Sequence, residues 1–202
     1  MEKRRSTVMA KAIRQPDNRR LYPVLFALLL LAGSLSIGHA MADSPREQAL
    51  TWQALQQATY TPEQALTDTL QAYPGLITEY EVDDENGHLV YELTQVSADF
   101  RQARELTIDA LTGKIVENKP DDLDNWLQQR DNRINALLAK STPLVDILRR
   151  FQENTNGHVV EAELKLDKGI LFFELEVNHE GKITKHLVDA GSGKPIPVYG
   201  NF

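Results

Sequence analysis

The chain has 202 residues, no cysteine, and 29 acidic against 22 basic side chains, a formal net charge of −7. Without cysteine there can be no disulfide, thiolate metal site, thiol nucleophile or thioether lipid anchor. Without residues 1–42 the balance becomes 15 basic against 27 acidic, a net −12, which repels nucleic acid and anionic headgroups and favours a basic or cationic partner.

Residues 1–42 read as an export signal. Basic residues from Lys3 to Arg20 precede the apolar run Val24–Ala32, and small residues lead to Ala40-Met41-Ala42. That order marks a secretory signal peptide. Cleavage is expected before Asp43, with a cut after Ala40 as the alternative. Pro23, Gly33, Ser34 and Ser36 interrupt the run, leaving it short of the roughly 20 apolar residues of a spanning helix. A soluble periplasmic or secreted protein is expected, with no stable membrane insertion after cleavage.

After Pro45 a helix is predicted within 43–59, carrying Ala49, Leu50, Trp52 and Leu55 as a brace against the first folded unit. Thr61, Pro62 and Gln64 then form a capping box with proline at the first helical position. Ala65, Leu66, Leu70 and Tyr73 are the expected buried stripe, and Pro74-Gly75 the stop. From Glu79 to Asp83 acidic and apolar residues alternate, placing Glu79, Glu81 and Asp83 on one strand face. Asn86-Gly87 turns the chain into His88–Leu93, and two more strands are predicted near 105–110 and 114–117. Lys119–Asp124 reads as a hinge. Beyond it, Leu123, Trp126, Leu127, Ile134, Leu137 and Leu138 fit one face of a single connecting helix.

The second half then repeats the first. Glu79, Glu81, Gly87, Glu92 and Leu93 recur at one constant displacement as Glu161, Glu163, Gly169, Glu174 and Leu175. Ile108–Lys114 recurs at a slightly shorter displacement as Val188–Lys194, and Thr61-Pro62 recurs as Thr142-Pro143. Self-similarity at a fixed displacement is the mark of a duplicated unit. The resulting fold class is α+β: two tandem small units, each a helix on a three- to four-stranded antiparallel sheet, joined by a helix. The boundaries are 60–119 and 141–200, with 120–140 between them. Each unit of roughly 60 residues would be marginal alone, so the copies should lean on each other or on the connecting helices. In the second copy, Ile170–Phe173 is apolar on both faces, so Phe172 should be covered.

Chemistry has few places to reside. His88, His158, His179 and His186 do not form HExxH. Residues 84–87 lack calcium-loop spacing, and 191–194 lack the Walker spacing and a following helix. No catalytic residue, cofactor or metal ligand is expected. The acidic rows Glu79, Glu81, Asp83, Glu92, Glu161, Glu163 and Glu174 remain as candidate partner-binding residues, weighed against the ordinary reading that outward strand faces are solvated and inert.

Tyr91-Glu92-Leu93 followed by Ile108-Asp109-Ala110-Leu111-Thr112-Gly113-Lys114-Ile115 resembles the PepSY domain, whose best mark is V-D-A-x-T-G-x-V. Phe173-Glu174-Leu175 and Val188-Asp189-Ala190-Gly191-Ser192-Gly193 give a more divergent second copy. The resemblance implies a non-enzymatic module of the kind found in peptidase propeptides and envelope proteins, and hence inhibition or restraint of a peptidase. No peptidase sequence follows the repeats, so action in trans is expected. The expected partner is a protein, either a peptidase or an envelope sensor. The alternative is an accessory or sensor protein that binds a cation or ligand and signals to a membrane partner.

Overall fold

The computed structural model describes residues 44–198; the expected export signal lies outside them. The first helix, α1 (Pro45–Leu55), opens on a reciprocal cap. The Glu47 N–H donates to Ser44 Oγ at 3.3 Å and the Ser44 N–H donates to the Glu47 carboxylate at 2.8 Å. The next, α2 (Pro62–Ala72), opens as its sequence predicts. The Gln64 N–H donates to Thr61 Oγ1 at 3.3 Å, and the Thr61 N–H to Gln64 Oε1 at 2.8 Å. Ala65 and Leu66 are fully buried beneath it, and Leu70 and Tyr73 pack at the margin of the core.

Four strands follow as an antiparallel meander: β1 (Gly75–Glu85), β2 (His88–Ser97), β3 (Ala103–Asp109) and β4 (Ile115–Asp121). Strand β1 begins at Gly75, the residue read as a helix stop. A Cβ there would collide with the Val96 carbonyl oxygen, so glycine lets pairing start early. The expected hinge at Lys119–Asp124 is instead half strand, since β4 runs on to Asp121. Lys119 Nζ sits 2.7 Å from Glu105 Oε1 on the neighbouring strand. Pro120 is tolerated because β4 is an edge, where a missing N–H costs no ladder bond.

The connector also differs from the single helix expected. It is two short helices, α3 (Asn125–Gln128) and α4 (Asn132–Leu138). Asp131 is extended and re-caps the chain, its carboxylate accepting from the Ile134 N–H at 2.9 Å. At the break, Arg130 donates to Leu127 O at 2.8 Å and to Asp99 O at 3.1 Å. Helix α5 (Leu144–Thr155) then buries Leu144, Ile147, Leu148 and Phe151 and ends on a left-handed Asn156. Thr142 does not cap it. Its hydroxyl donates to Gly191 O at 3.3 Å, and Pro143 holds the cap position. Strands β5 (His158–Asp167), β6 (Ile170–His179), β7 (Lys182–Asp189) and the short β8 (Lys194–Ile196) complete the second copy.

The two meanders fuse into one eight-stranded sheet, β4-β3-β2-β1-β5-β6-β7-β8. The seam is the antiparallel pair β1–β5, with Glu79 opposite Glu163, Tyr80 opposite Ala162 and Glu81 opposite Glu161. Each residue thus faces a residue of the other copy by the rule of an isologous contact, and an approximate two-fold axis passes between Tyr80 and Ala162. Both α2 and α5 lie on the same sheet face and contact each other. Beneath them Tyr80, Tyr91, Leu93, Leu106, Leu164, Phe173 and Leu175 form one continuous core. The described residues belong to one compact unit.

The symmetry extends to the leading helices. The displacement that carries Glu79 onto Glu161 carries Pro45–Leu55 onto 127–137, which is the connector. Helix α1 braces both copies. Buried Asn178 of β6 donates from Nδ2 to Gln48 O at 2.8 Å, and Ala49 lies so close that a Cβ on Gly181 would stand 3.2 Å from its Cα. Among the described residues no helix is long and apolar enough to cross a membrane.

Candidate functional site

Alternation places Glu79 and Glu81 on the sheet face away from the helices, and Glu161 and Glu163 likewise. The seam then merges the two rows into one field. A line of paired residues runs Glu92, Glu81, Glu161, Glu176 across β2, β1, β5 and β6, and the next line runs Thr94, Glu79, Glu163, Glu174. Like charges directly opposite on paired strands are destabilising, so this arrangement works against the sheet's own stability. It lines a groove of about 390 Å³ that also takes in Glu105 and Asp121.

Crowding shows in the acidities. Burial raises the Glu79 carboxyl above its ordinary value, with Asp124 and Glu163 adding to it, against a 2.9 Å hydrogen bond donated by the Thr94 hydroxyl. Burial likewise raises Glu92, helped by Asp83, and Glu161, helped by Glu176. Asp124 is raised by burial and then by Glu163. Three lysines ring the field. Lys165 Nζ lies 2.7 Å from Glu163 and 3.3 Å from Glu174. Lys185 lies 2.6 Å from Glu176 and 3.7 Å from Glu174, and Lys119 bridges Glu105 and Glu117 at 2.7 and 3.4 Å.

Of the sequence-predicted residues, Glu79, Glu81, Glu92, Glu161 and Glu163 line the groove, and Glu174 stands beside it under Lys165 and Lys185. Asp83 lies outside the groove, further along β1 opposite Val90. Sequence reasoning missed Glu105, Asp121, Asp124 and Glu176. The alternation Glu174-Leu175-Glu176 was the available signal for Glu176. Asp121 and Asp124 were hidden in the expected hinge. Phe172 is half-buried on this same face, between Lys165 and Asp189 on the adjoining strands.

Among the described residues no group of three or more His, Asp or Glu is arranged to hold a metal ion. Two histidines are packed against aromatic rings: His158 edge-on to Trp52 at 5.0 Å and His186 edge-on to Phe151 at 5.3 Å.

The repeated Asp-Ala-x-[Ser/Thr]-Gly segment proves to be a clasp. Asp109 Oδ1 accepts from the Thr112 N–H at 2.7 Å, the Thr112 hydroxyl at 2.6 Å and the Leu111 N–H at 3.2 Å. Asp189 Oδ1 accepts from the Ser192 N–H at 2.8 Å and its hydroxyl at 2.6 Å. The divergence to Gly191-Ser192 therefore keeps the chemistry. Ala110 O accepts from the Tyr60 N–H at 3.1 Å and Ala190 O from the Thr142 N–H at 2.6 Å, which ties each turn to the entry of its helix. Gly113 and Gly193 are left-handed, with φ of +68° and +64°, as such turns require.

These paired clasps, each closing a helix onto a four-stranded meander, bear out the resemblance. Residues 59–119 and 143–198 match the family described as "Peptidase propeptide and YPEB domain", PepSY. No curated protein matches. A crystal structure described as a lipoprotein from Clostridium difficile 630 is similar at 19% identity and a TM-score of 0.40, over 67% of this chain and 90% of that one. With more than half of its residues matched in two copies, this chain belongs to the PepSY family.

Proposed function

We infer that the chain is a non-catalytic module of the exported or envelope space that binds a protein partner through the acidic seam and restrains a peptidase carried on a separate chain. The observation that carries the reading is the register at β1–β5. It brings Glu79 against Glu163 and Glu81 against Glu161, concentrating charge where the sheet alone is better off without it. Surfaces that oppose stability are characteristic of function. The ordered basic, apolar and A-x-A segments of 1–42 support export, and the family's description supports a peptidase as the first target to test.

The test is capture by the purified protein from a periplasmic extract with crosslinking, followed by assay of any retained peptidase. Capture of a peptidase whose activity falls on adding the protein supports the reading. The double variant Glu79→Lys, Glu161→Lys should fold yet lose that capture. Undiminished capture would make the acidic rows solvated faces and nothing more.

A further inference from the structure

The duplication supplies an internal comparison at the sheet's edge. Strand β7 is the counterpart of β3, and β8 of β4. The registers agree: Glu105 faces Thr94 as Lys185 faces Glu176, and Ala103 faces Val96 as Ile183 faces Asn178. In the first copy the edge strand covers β3 from Ala103 to Ile108, with Lys119 opposite Glu105 and Asp121 opposite Ala103. In the second, β8 pairs only with Leu187–Asp189. Among the described residues no strand lies beside Lys182–His186 on that side.

Proline fixes which backbone groups are left over. Pro195 has no N–H, so Val188 and Pro195 cannot exchange two ladder bonds, and the exchanging pairs are Leu187–Ile196 and Asp189–Lys194. The Ala190 N–H donates the other way, to Leu171 O on the β6 side, as the alternation requires. Carried back along β7, the alternation turns the N–H and C=O of Ile183 and Lys185 toward the open side. Such an edge is a template for another strand unless it is blocked. Pro120 stands in β4 and Pro195 in β8, whereas Lys182-Ile183-Thr184-Lys185-His186 has no proline and carries β-branched Ile183 and Thr184.

The side chains name the chemistry of the occupant. In the first copy Glu105 takes Lys119 of the edge strand at 2.7 Å. In the second copy the same position carries the opposite sign, as Lys185. Lys182 and Lys185 are both exposed, and among the described residues Lys182 makes no ion pair. Like charges directly opposite on paired strands are unfavourable and opposite charges favourable, so these lysines turn away a basic strand and admit an acidic one. We propose that Lys182–His186 accepts an extended acidic segment of a partner protein, which adds to the sheet antiparallel to β7 with a carboxylate opposite Lys185. Main-chain bonds to Ile183 and Lys185 supply affinity and the charges supply selection. The incoming segment lies in line with β8 and takes the place that Asn118–Asp121 fills in the first copy. This surface is separate from the acidic seam and does not depend on that reading.

The experiment titrates the purified protein with the end-blocked peptide Thr-Glu-Val-Thr-Glu, following backbone amide shifts. One control peptide carries lysine in place of both glutamates. The other is N-methylated at its first glutamate and second threonine, the residues that would lie opposite Lys185 and Ile183. The parent peptide should shift the Ile183 and Lys185 amides saturably. The lysine peptide should bind about tenfold more weakly, and the N-methylated peptide should not bind. Ile183→Pro removes an outward N–H without touching a ladder bond to β6, and should abolish binding with the fold intact. If that variant unfolds, the control peptides still decide, because they leave the protein unchanged. No shift at Ile183 and Lys185, equal binding by either control peptide, or full binding by folded Ile183→Pro would overturn the proposal. Slow hydrogen exchange at both amides in the peptide-free protein would overturn it too, since the chain itself or a second copy would then already cover the edge.

Discussion

Tyr80 and Ala162 face each other across β1–β5 and are the same position of the two copies. Both are buried, at 1% exposure. On a two-fold axis a residue meets its own equivalent, so two tyrosines would contend for one space and two alanines would leave it empty. One large and one small residue fill it. The Tyr80 ring reaches Tyr91, with 6.1 Å between centroids. The seam is therefore built from halves that have become unequal, and the copies are no longer interchangeable.

Ala162→Tyr should overpack this point and destabilise the protein by about 1–3 kcal/mol. The Tyr80 hydroxyl is buried without a partner, so Tyr80→Phe should stabilise by about 1 kcal/mol. Urea unfolding with an unchanged m-value is the measurement. A destabilised Tyr80→Phe would show that the hydroxyl is satisfied in solution.

The seam glutamates set a direction for pH. Glu79, Glu92 and Glu161 have carboxyls raised in the folded protein, so the native state binds protons more readily than the unfolded chain. Their contribution therefore becomes more favourable as pH falls from neutrality toward the ordinary value of 4.5. Glu79→Gln with Glu161→Gln should raise stability at pH 7 by about 0.5 kcal/mol and flatten that part of the profile. Thermal melts of both proteins from pH 7 to 5 decide this. Parallel profiles would contradict it.

His158 works in the opposite sense. Burial lowers it below 6.5, with Glu63 opposing, while Trp52 covers its ring and Gln56 Nε2 lies 2.8 Å from its Nε2. The unfolded chain binds the proton first, so stability from this group is present above pH 6.5 and is lost as pH falls toward the folded value. The expected consequence is looser docking of α1, with His179 also near Trp52 at 6.1 Å. Imidazole NMR titration should place His158 below 6.5, and His158→Gln should remove the acid-induced change in Trp52 fluorescence. An unaltered fluorescence profile in that variant would locate the acid response elsewhere.

The clasp glycines should matter to folding and not to binding. A Cβ at Gly113 would stand 2.8 Å from the Tyr60 ring, and the backbone there is left-handed. Gly113→Ala should cost at least about 1 kcal/mol while partner capture by the remaining folded protein is unchanged. A loss of capture at full stability would give the turn a direct part in recognition.

The duplication, the capping boxes and the in–out alternation of the strands were legible in the sequence because each is a local pattern of side-chain size and polarity. Alternation alone put Glu79 and Glu81, and Glu161 and Glu163, on outward faces. It fixes a residue's face and says nothing about its neighbour on the next strand. Only the tertiary structure decided that β1 and β5 pair, since that contact joins two strand edges from different copies through a short stretch of register centred on Tyr80 and Ala162. The same pairing turned two separate acidic rows into one groove. Helix α1 was readable as a helix, but its attachment to the second copy depends on Asn178 and Gly181, which lie far along the chain. The misread hinge has the same origin. Lys-Pro-Asp-Asp breaks local periodicity, yet an edge strand with β3 already beside it needs no periodicity to hold its place.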